Sequence, residues 1–151
     1  MENRLVRTPD GVDIAIQEHG KADAPAIVFI HGFSQCHLSW TNQIASPLAD
    51  SFRLVTYDIR GHGASGKPED ANCYTEGRRW ADELSCVFDA LQLTRPLVGA
   101  WSYAGRILAD YLAAYGPARL AGINLVASKT RSDPSFVGPE KIGRASCRER
   151  V

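Results

Sequence analysis

Apolar positions along the chain recur at two different spacings, and the switches between them mark out nine segments. Val12, Ile14 and Ile16 alternate with Asp13, Ala15 and Gln17, which predicts a half-buried strand over Val12 to Gln17. A short strand over Arg4 to Thr8 precedes it, joined through the turn signal Pro9-Asp10-Gly11. Ala26 to Ile30 is continuously apolar and rich in β-branched residues, the pattern of a strand buried on both faces. Trp40, Ile44 and Leu48 stand four apart and predict a helix over Leu38 to Ala49. Phe52 to Tyr57 reads as a strand, and Asp58 to Cys73 as a polar, glycine-rich loop. Trp80, Leu84, Val87, Phe88 and Leu91 fall on one stripe and predict a helix over Tyr74 to Leu91. Pro96 to Ala100 is a short strand. Tyr103, Ile107, Leu108, Tyr111 and Leu112 share a face of a helix over Tyr103 to Tyr115, which Gly116-Pro117 stops. Leu120 to Ala127 is a last apolar strand.

The resulting order, β-β-β-α-β-α-β-α-β, predicts an α/β protein with a doubly wound, mostly parallel sheet and an antiparallel start. Chemistry in such a sheet collects at the carboxyl ends of the strands. Residues 3–128 form the expected core. Residues 129–141, with Asp133-Pro134-Ser135-Phe136, read as the start of a cap or lid.

Composition narrows the function. The 151 residues suffice for one domain, and 44% apolar content excludes a disordered chain. The longest apolar run, Pro25 to Ile30, is too short to span a membrane. Met1 to Asp13 is polar and charged, unlike a secretory signal, so a cytoplasmic protein is expected. Formal net charge is zero and the basic residues are scattered, which points to neither a nucleic-acid nor a membrane partner. Cys36, Cys73, Cys86 and Cys147 form no CxxC or Cys/His zinc spacing. Cys36 and His37 are neighbours and are not expected to converge on one metal. Idle thiols in a reducing cytosol are the expectation, with no metal and no cofactor.

The tail Ile142 to Val151, IGRASCRERV, shows neither helix period nor strand alternation. One codon choice back-translates it to ATC GGA AGA GCG TCG TGT AGG GAA AGA GTG, which resembles a sequencing adapter. Residues 142–151 are therefore read as a non-native end and left out of fold reasoning.

Three constellations sit at predicted strand ends. Val98-Gly99-Ala100-Trp101-Ser102-Tyr103-Ala104-Gly105 runs a strand directly into a helix with a serine at the junction. Phe29-Ile30-His31-Gly32-Phe33 follows the buried strand. Tyr57-Asp58-Ile59-Arg60-Gly61-His62-Gly63-Ala64-Ser65 follows the next one. Together they resemble the α/β-hydrolase fold superfamily, in its serine-nucleophile esterase and peroxidase-like esterase branch. The first resembles the nucleophile elbow, usually Gly-x-Ser-x-Gly, with Ala100 and Ala104 at the flanking positions. The resemblance makes Ser102 the nucleophile and the N–H groups of Phe33 and Tyr103 the oxyanion donors. It assigns His31 to bracing the loop rather than to catalysis. It gives Asp58 and Arg60 an architectural role and leaves His62 non-catalytic. Read alone, Ser102 is also a helix cap, and Ser34 and Gln35 are plain loop residues or pocket lining. Trp101 and Tyr103 are an aromatic wall or core packing.

Gly61-x-Gly63-x-x-Gly66 also fits a dinucleotide fingerprint, and Gly61-x4-Gly66-Lys67 nearly fits a P-loop. Both require a helix to open at the glycines. Pro68 to Asn72 is turn-like instead, which argues against nucleotide binding.

The implied function is a serine hydrolase acting through an acyl-enzyme on a carboxylic-ester-like small molecule. The family places its acid and then its histidine after the serine. No histidine follows His62 here, so the chain is expected to be an N-terminal part that is inactive by itself. A non-catalytic binding protein on the same fold, or a lyase, remains the alternative. The sequence leaves oligomeric state open.

Overall fold

The strands form because β-branched and aromatic residues alternate or cluster between turn signals, and a computed structural model describes the result for residues 4–128 and Thr130. Six strands make one sheet: β1 (Arg4–Arg7), β2 (Asp13–Gly20), β3 (Ala26–Ile30), β4 (Arg53–Tyr57), β5 (Leu97–Trp101) and β6 (Gly122–Val126), in the spatial order β1-β2-β4-β3-β5-β6. β1 pairs antiparallel with β2, and β2 with β4. The pairs β3–β4, β3–β5 and β5–β6 are parallel. The order and the antiparallel start agree with the doubly wound expectation. The expected cap at 129–141 and the tail at 142–151 lie outside the described residues, apart from Thr130.

Alternation along each strand divides the core into two layers. Val28 and Ile30 of β3, Val55 and Tyr57 of β4, and Val98 and Ala100 of β5 pack on one face. That face is covered by α3 (Gly77–Ala90) and α4 (Ala104–Tyr115), after the short helices α1 (Thr41–Ile44) and α2 (Asn72–Thr75). Phe29 and Leu54 point to the other face and pack with Trp40. Trp101 joins this second layer, with its ring 6.4 Å from Trp40.

Two predicted helices are shorter than their periodicity suggested. Leu38 to Ala49 is not one helix but a 3-10 turn at His37–Trp40, then α1, then a second 3-10 turn at Pro47–Asp50. Pro47 has no N–H to donate and disfavours helical geometry at the residue before it. Ser46 is accordingly extended, at φ −89° and ψ 168°, and its hydroxyl accepts from Leu48 N–H. The helix expected from Tyr74 begins at Gly77, because Glu76 is extended at φ −85° and ψ 111° and separates α2 from α3. α4 ends as predicted, with Gly116 at φ 71°.

β3 has β4 on one side and β5 on the other, so successive connections leave it in opposite directions. The carboxyl ends of β3 and β5 therefore border the point at which such sheets form a crevice. β6 lies at an edge of the described sheet, where Ile123, Leu125 and Val126 are exposed.

Candidate active site

Ser102 stands between the end of β5 and the start of α4 with φ 55°, a left-handed value rare outside glycine. Its N–H donates to the Val126 carbonyl at 3.0 Å, and its carbonyl accepts from Gly105 N–H at 3.2 Å. The strained backbone is thus held from both sides. Tyr103, not Ser102, occupies the cap position of α4, and its side chain makes no capping hydrogen bond.

The loop after β3 lies against this junction. A Cβ added to Gly32 would stand 3.1 Å from Ser102 Cβ and 3.7 Å from its Oγ. Phe33 follows at once, with its ring 6.0 Å from that of Tyr103. The structure therefore gathers Ser102, Phe33 and Tyr103 at the carboxyl ends of β3 and β5. Ser34 also has a left-handed backbone, at φ 59°. Its N–H donates to His62 Nε2, while the Gln35 side chain accepts from the Ser39 hydroxyl. Both are loop-building contacts.

His31 is fully buried and spends both ring nitrogens on backbone. Nε2 accepts from Ile59 N–H at 3.1 Å, which leaves Nδ1–H to donate to the Gly32 carbonyl at 2.8 Å. Burial pulls its pKa down to about 4, against a partial lift from the Gly32 carbonyl. His62 follows the same logic: Nε2 accepts from Ser34 and Nδ1–H donates to the Arg60 carbonyl at 3.0 Å. Burial lowers its pKa too, and the Arg60 carbonyl offsets this in part. Both imidazoles are neutral struts between the two glycine-rich loops.

Asp58 and Arg60 tie down the second loop. Asp58 Oδ1 accepts from His37 N–H and His37 Nδ1, and Oδ2 accepts from Ala64 N–H. Burial would raise this carboxyl, but the His37 and Ala64 donors hold it below its ordinary value. Arg60 uses all five guanidinium hydrogens, on Glu83, both oxygens of Asp10, and the carbonyls of Cys73 and Arg79. Asp10 is held well below the usual carboxylate range: Arg60, Thr8 and Arg79 together outweigh the effect of burial. Glu83 is wholly buried, and burial pushes it up to about 7 although Arg60 pulls the other way. Glu83 shares the apolar stripe of α3 with Trp80, Leu84 and Val87. A lone carboxylate on such a stripe was a readable sign of a buried partner.

One expectation about the thiols fails. Donor atoms of Cys36, His37 and Asp58 come within 4.8 Å of one another, although the first two are sequence neighbours. Cys36 is extended, at φ −153° and ψ −178°, and the 3-10 turn that begins at His37 swings the imidazole back over Asp58. The Asp58 oxygens there already accept the His37 and Ala64 donors that fix the loop. The phosphate motifs find no helix at their glycines, since Lys67 Nζ folds back onto the carbonyls of Gly63 and Ser65.

A cavity of about 260 Å³ opens beside Phe33 and Tyr103, bounded further by His62, Tyr74 and Trp80. Tyr103 lines this cavity and also packs against the helix-covered core layer, whereas Trp101 packs against the other layer. Tyr74, Trp80 and the loop before α2 escaped sequence reasoning because nothing local links them to the serine.

A model of the alpha/beta hydrolase fold matches residues 25–145. The Acinetobacter calcoaceticus bifunctional esterase/perhydrolase DCH is 33% identical over 141 residues, covering 89% of this chain and 50% of that protein. EphD of Mycobacterium tuberculosis, named as an oxidoreductase, is 34% identical over 138 residues, covering 82% of this chain and 23% of its own length. A solved Burkholderia cenocepacia structure described as an aryl esterase superposes with a TM-score of 0.86 at 41% identity, covering 89% of this chain and 49% of that one. The chain spans half or less of the length of these proteins.

Proposed function

The chain belongs to the α/β-hydrolase fold family, and from that premise we propose that it carries the nucleophile of a serine hydrolase acting on a carboxylic-ester-like small molecule. The observation that carries the reading is Ser102 itself. It is a non-glycine residue at φ 55° between a parallel strand and a helix, with Gly32 laid against it. Such strain needs a reason, and exposing an Oγ beside two loop N–H groups is one.

In the proposed reaction Ser102 Oγ attacks the ester carbonyl and loses its proton to a histidine. The N–H groups of Phe33 and Tyr103 hold the tetrahedral oxyanion. The intermediate collapses to an acyl-enzyme as the histidine returns the proton to the departing alkoxide. Water then repeats the sequence and releases the acid. None of the four histidines suits the base: His31 and His62 commit their ring nitrogens to backbone, His37 turns its Nδ1 onto the Asp58 carboxylate that pins the second loop, and His19 lies on β2 opposite Leu54, away from the carboxyl ends of the parallel strands. The base and its orienting carboxylate therefore belong to other parts of the full-length protein. No described helix is long and apolar enough to cross a membrane. Among the described residues Cys36, Cys73 and Cys86 are free thiols.

The test is turnover of a short-chain ester by the full-length protein. Replacing Ser102 with Ala is expected to lower kcat by more than about 1000-fold. An unchanged rate overturns the reading.

A further inference from the structure

We infer that Cys36, His37 and Asp58 form a binding site for a thiophilic divalent cation of the zinc class, where the loop that carries Phe33 meets the loop after β4. The inference does not depend on the role proposed for Ser102.

One donor atom from each of the three residues lies within 4.8 Å of the other two. Asp58 directly follows β4, and Cys36 and His37 open the 3-10 turn that comes after β3. His37 is fixed twice on the carboxylate. Its backbone N–H donates to Oδ1 at 2.7 Å, and its Nδ1 lies 3.0 Å from Oδ1 and 3.1 Å from Oδ2. Metal–ligand lengths of about 2.0–2.3 Å place the donors around a tetrahedral zinc ion about 3.3–3.6 Å apart. Imidazole and carboxylate stand within a few tenths of an ångström of that spacing. The thiol needs a shift of about 1 Å, within reach of a rotation about its one side-chain torsion. The cation takes the place of the proton between Nδ1 and the carboxylate. The backbone bonds from His37 and Ala64 that hold the loop stay in place.

Charge favours the same occupant. Asp58 is fully buried, yet among the described residues it has no Lys or Arg partner. Its contacts with basic groups are His37 and the neutral His31, whose Nε2 lies 4.0 Å away. The other buried carboxylate, Glu83, has Arg60. A buried carboxylate without a permanent cation beside it gains most from one that binds. Cys36 is buried as well, whereas the His37 side chain is 23% exposed, which leaves a way in and a fourth position for water.

The donor set selects the cation. A thiolate and an imidazole suit zinc and its relatives, whereas magnesium and calcium prefer oxygen alone. On coordination the Cys36 thiol gives its proton to solvent, and the Nδ1 proton is exchanged through water to Nε2. The carboxylate gives up none, so one proton leaves per cation bound.

The test uses the full-length protein, freed of metal by dialysis against a chelator and titrated with cobalt(II) chloride. One equivalent is expected to bind with a thiolate-to-cobalt charge-transfer band. Zinc chloride is expected to bleach that band, and excess magnesium chloride to leave it unchanged. Cys36→Ser is expected to abolish the band, and His37→Gln to weaken cobalt binding by about tenfold or more. Cys86→Ser is expected to retain both. Zinc is expected to raise the thermal midpoint of the unsubstituted protein and not that of Cys36→Ser. Circular dichroism in chelator checks that each variant folds, and a defect in one leaves the other to decide. No band in the unsubstituted protein overturns the site, as does a band that survives Cys36→Ser or binding that His37→Gln leaves unaltered. Displacement of cobalt by magnesium overturns the cation class.

Discussion

Gly32 lies so close to Ser102 that a methyl group on the glycine would stand 3.1 Å from the serine Cβ and 3.5 Å from the Trp101 carbonyl oxygen. The loop after β3 and the turn after β5 are therefore built to one another's shape. Gly32→Ala must push them apart by a few tenths of an ångström. The expected result is a folded protein whose Ser102 reacts at least tenfold more slowly with a fluorophosphonate. The loss of one oxyanion donor costs about 2.7–4 kcal/mol, and partial displacement costs less. Circular dichroism separates this from unfolding. An unchanged labelling rate would show that the close approach has no part in reactivity.

The Arg60 cluster is the structural counterpart of the site. Arg60 and Glu83 are both fully buried, with Nε 2.7 Å from Oε2. Removing Arg60 leaves Glu83 without its counter-ion, which typically costs about 3–5 kcal/mol. Arg60→Met is expected to lower the urea midpoint by that equivalent. The double variant Arg60→Met/Glu83→Leu is expected to recover part of the loss, because it also removes the stranded carboxylate. Additive losses in the two single variants and the double would contradict the coupling.

His31 gives the protein an acid-sensitive strut. Its pKa is near 6.5 when unfolded and about 4 when folded, so the unfolded chain binds the proton first. The stabilisation is fully present above pH 6.5 and is lost as pH falls towards 4. Its ceiling is about 3 kcal/mol, from 1.36 kcal/mol per unit. His31→Gln is expected to lose less stability than the unsubstituted protein between pH 6.5 and 4, measured by urea unfolding. Parallel slopes across that window would refute the assignment.

Two glycines with positive φ separate strain from collision. At Gly63 a Cβ would collide with the pinned Asp58 carboxylate, whereas at Gly116 nothing lies within 4 Å. Gly116→Ala is expected to cost about 1–3 kcal/mol from backbone strain alone. Gly63→Ala is expected to cost more and to disturb the loop. Equal losses would mean that the Asp58 contact yields freely.

What could be read in the sequence was what local period and strand-end motifs encode. β3 appears with its predicted bounds, and the alternation of strands and helices gave the sheet its sense. Ser102 and Asp58 announced themselves because each directly follows a strand, and Gly32 because it stands two residues past one. The rest depended on packing between distant segments. Pro47 broke a helix whose apolar spacing was intact, and Glu76 did the same before α3. His37 reached Asp58 only through a turn that a neighbour-spacing rule does not see. The aromatic cavity joins four separate stretches of chain, which no single window contains. Trp101 and Tyr103, two residues apart, proved to serve opposite layers because the elbow between them changes the backbone's direction.

The most direct measurement is covalent labelling of the full-length protein with a fluorophosphonate, followed by peptide mass spectrometry. The account predicts a single adduct on Ser102, abolished by Ser102→Ala and slowed by Gly32→Ala. A catalytically competent protein with an unlabelled Ser102, or with its adduct elsewhere, would contradict it.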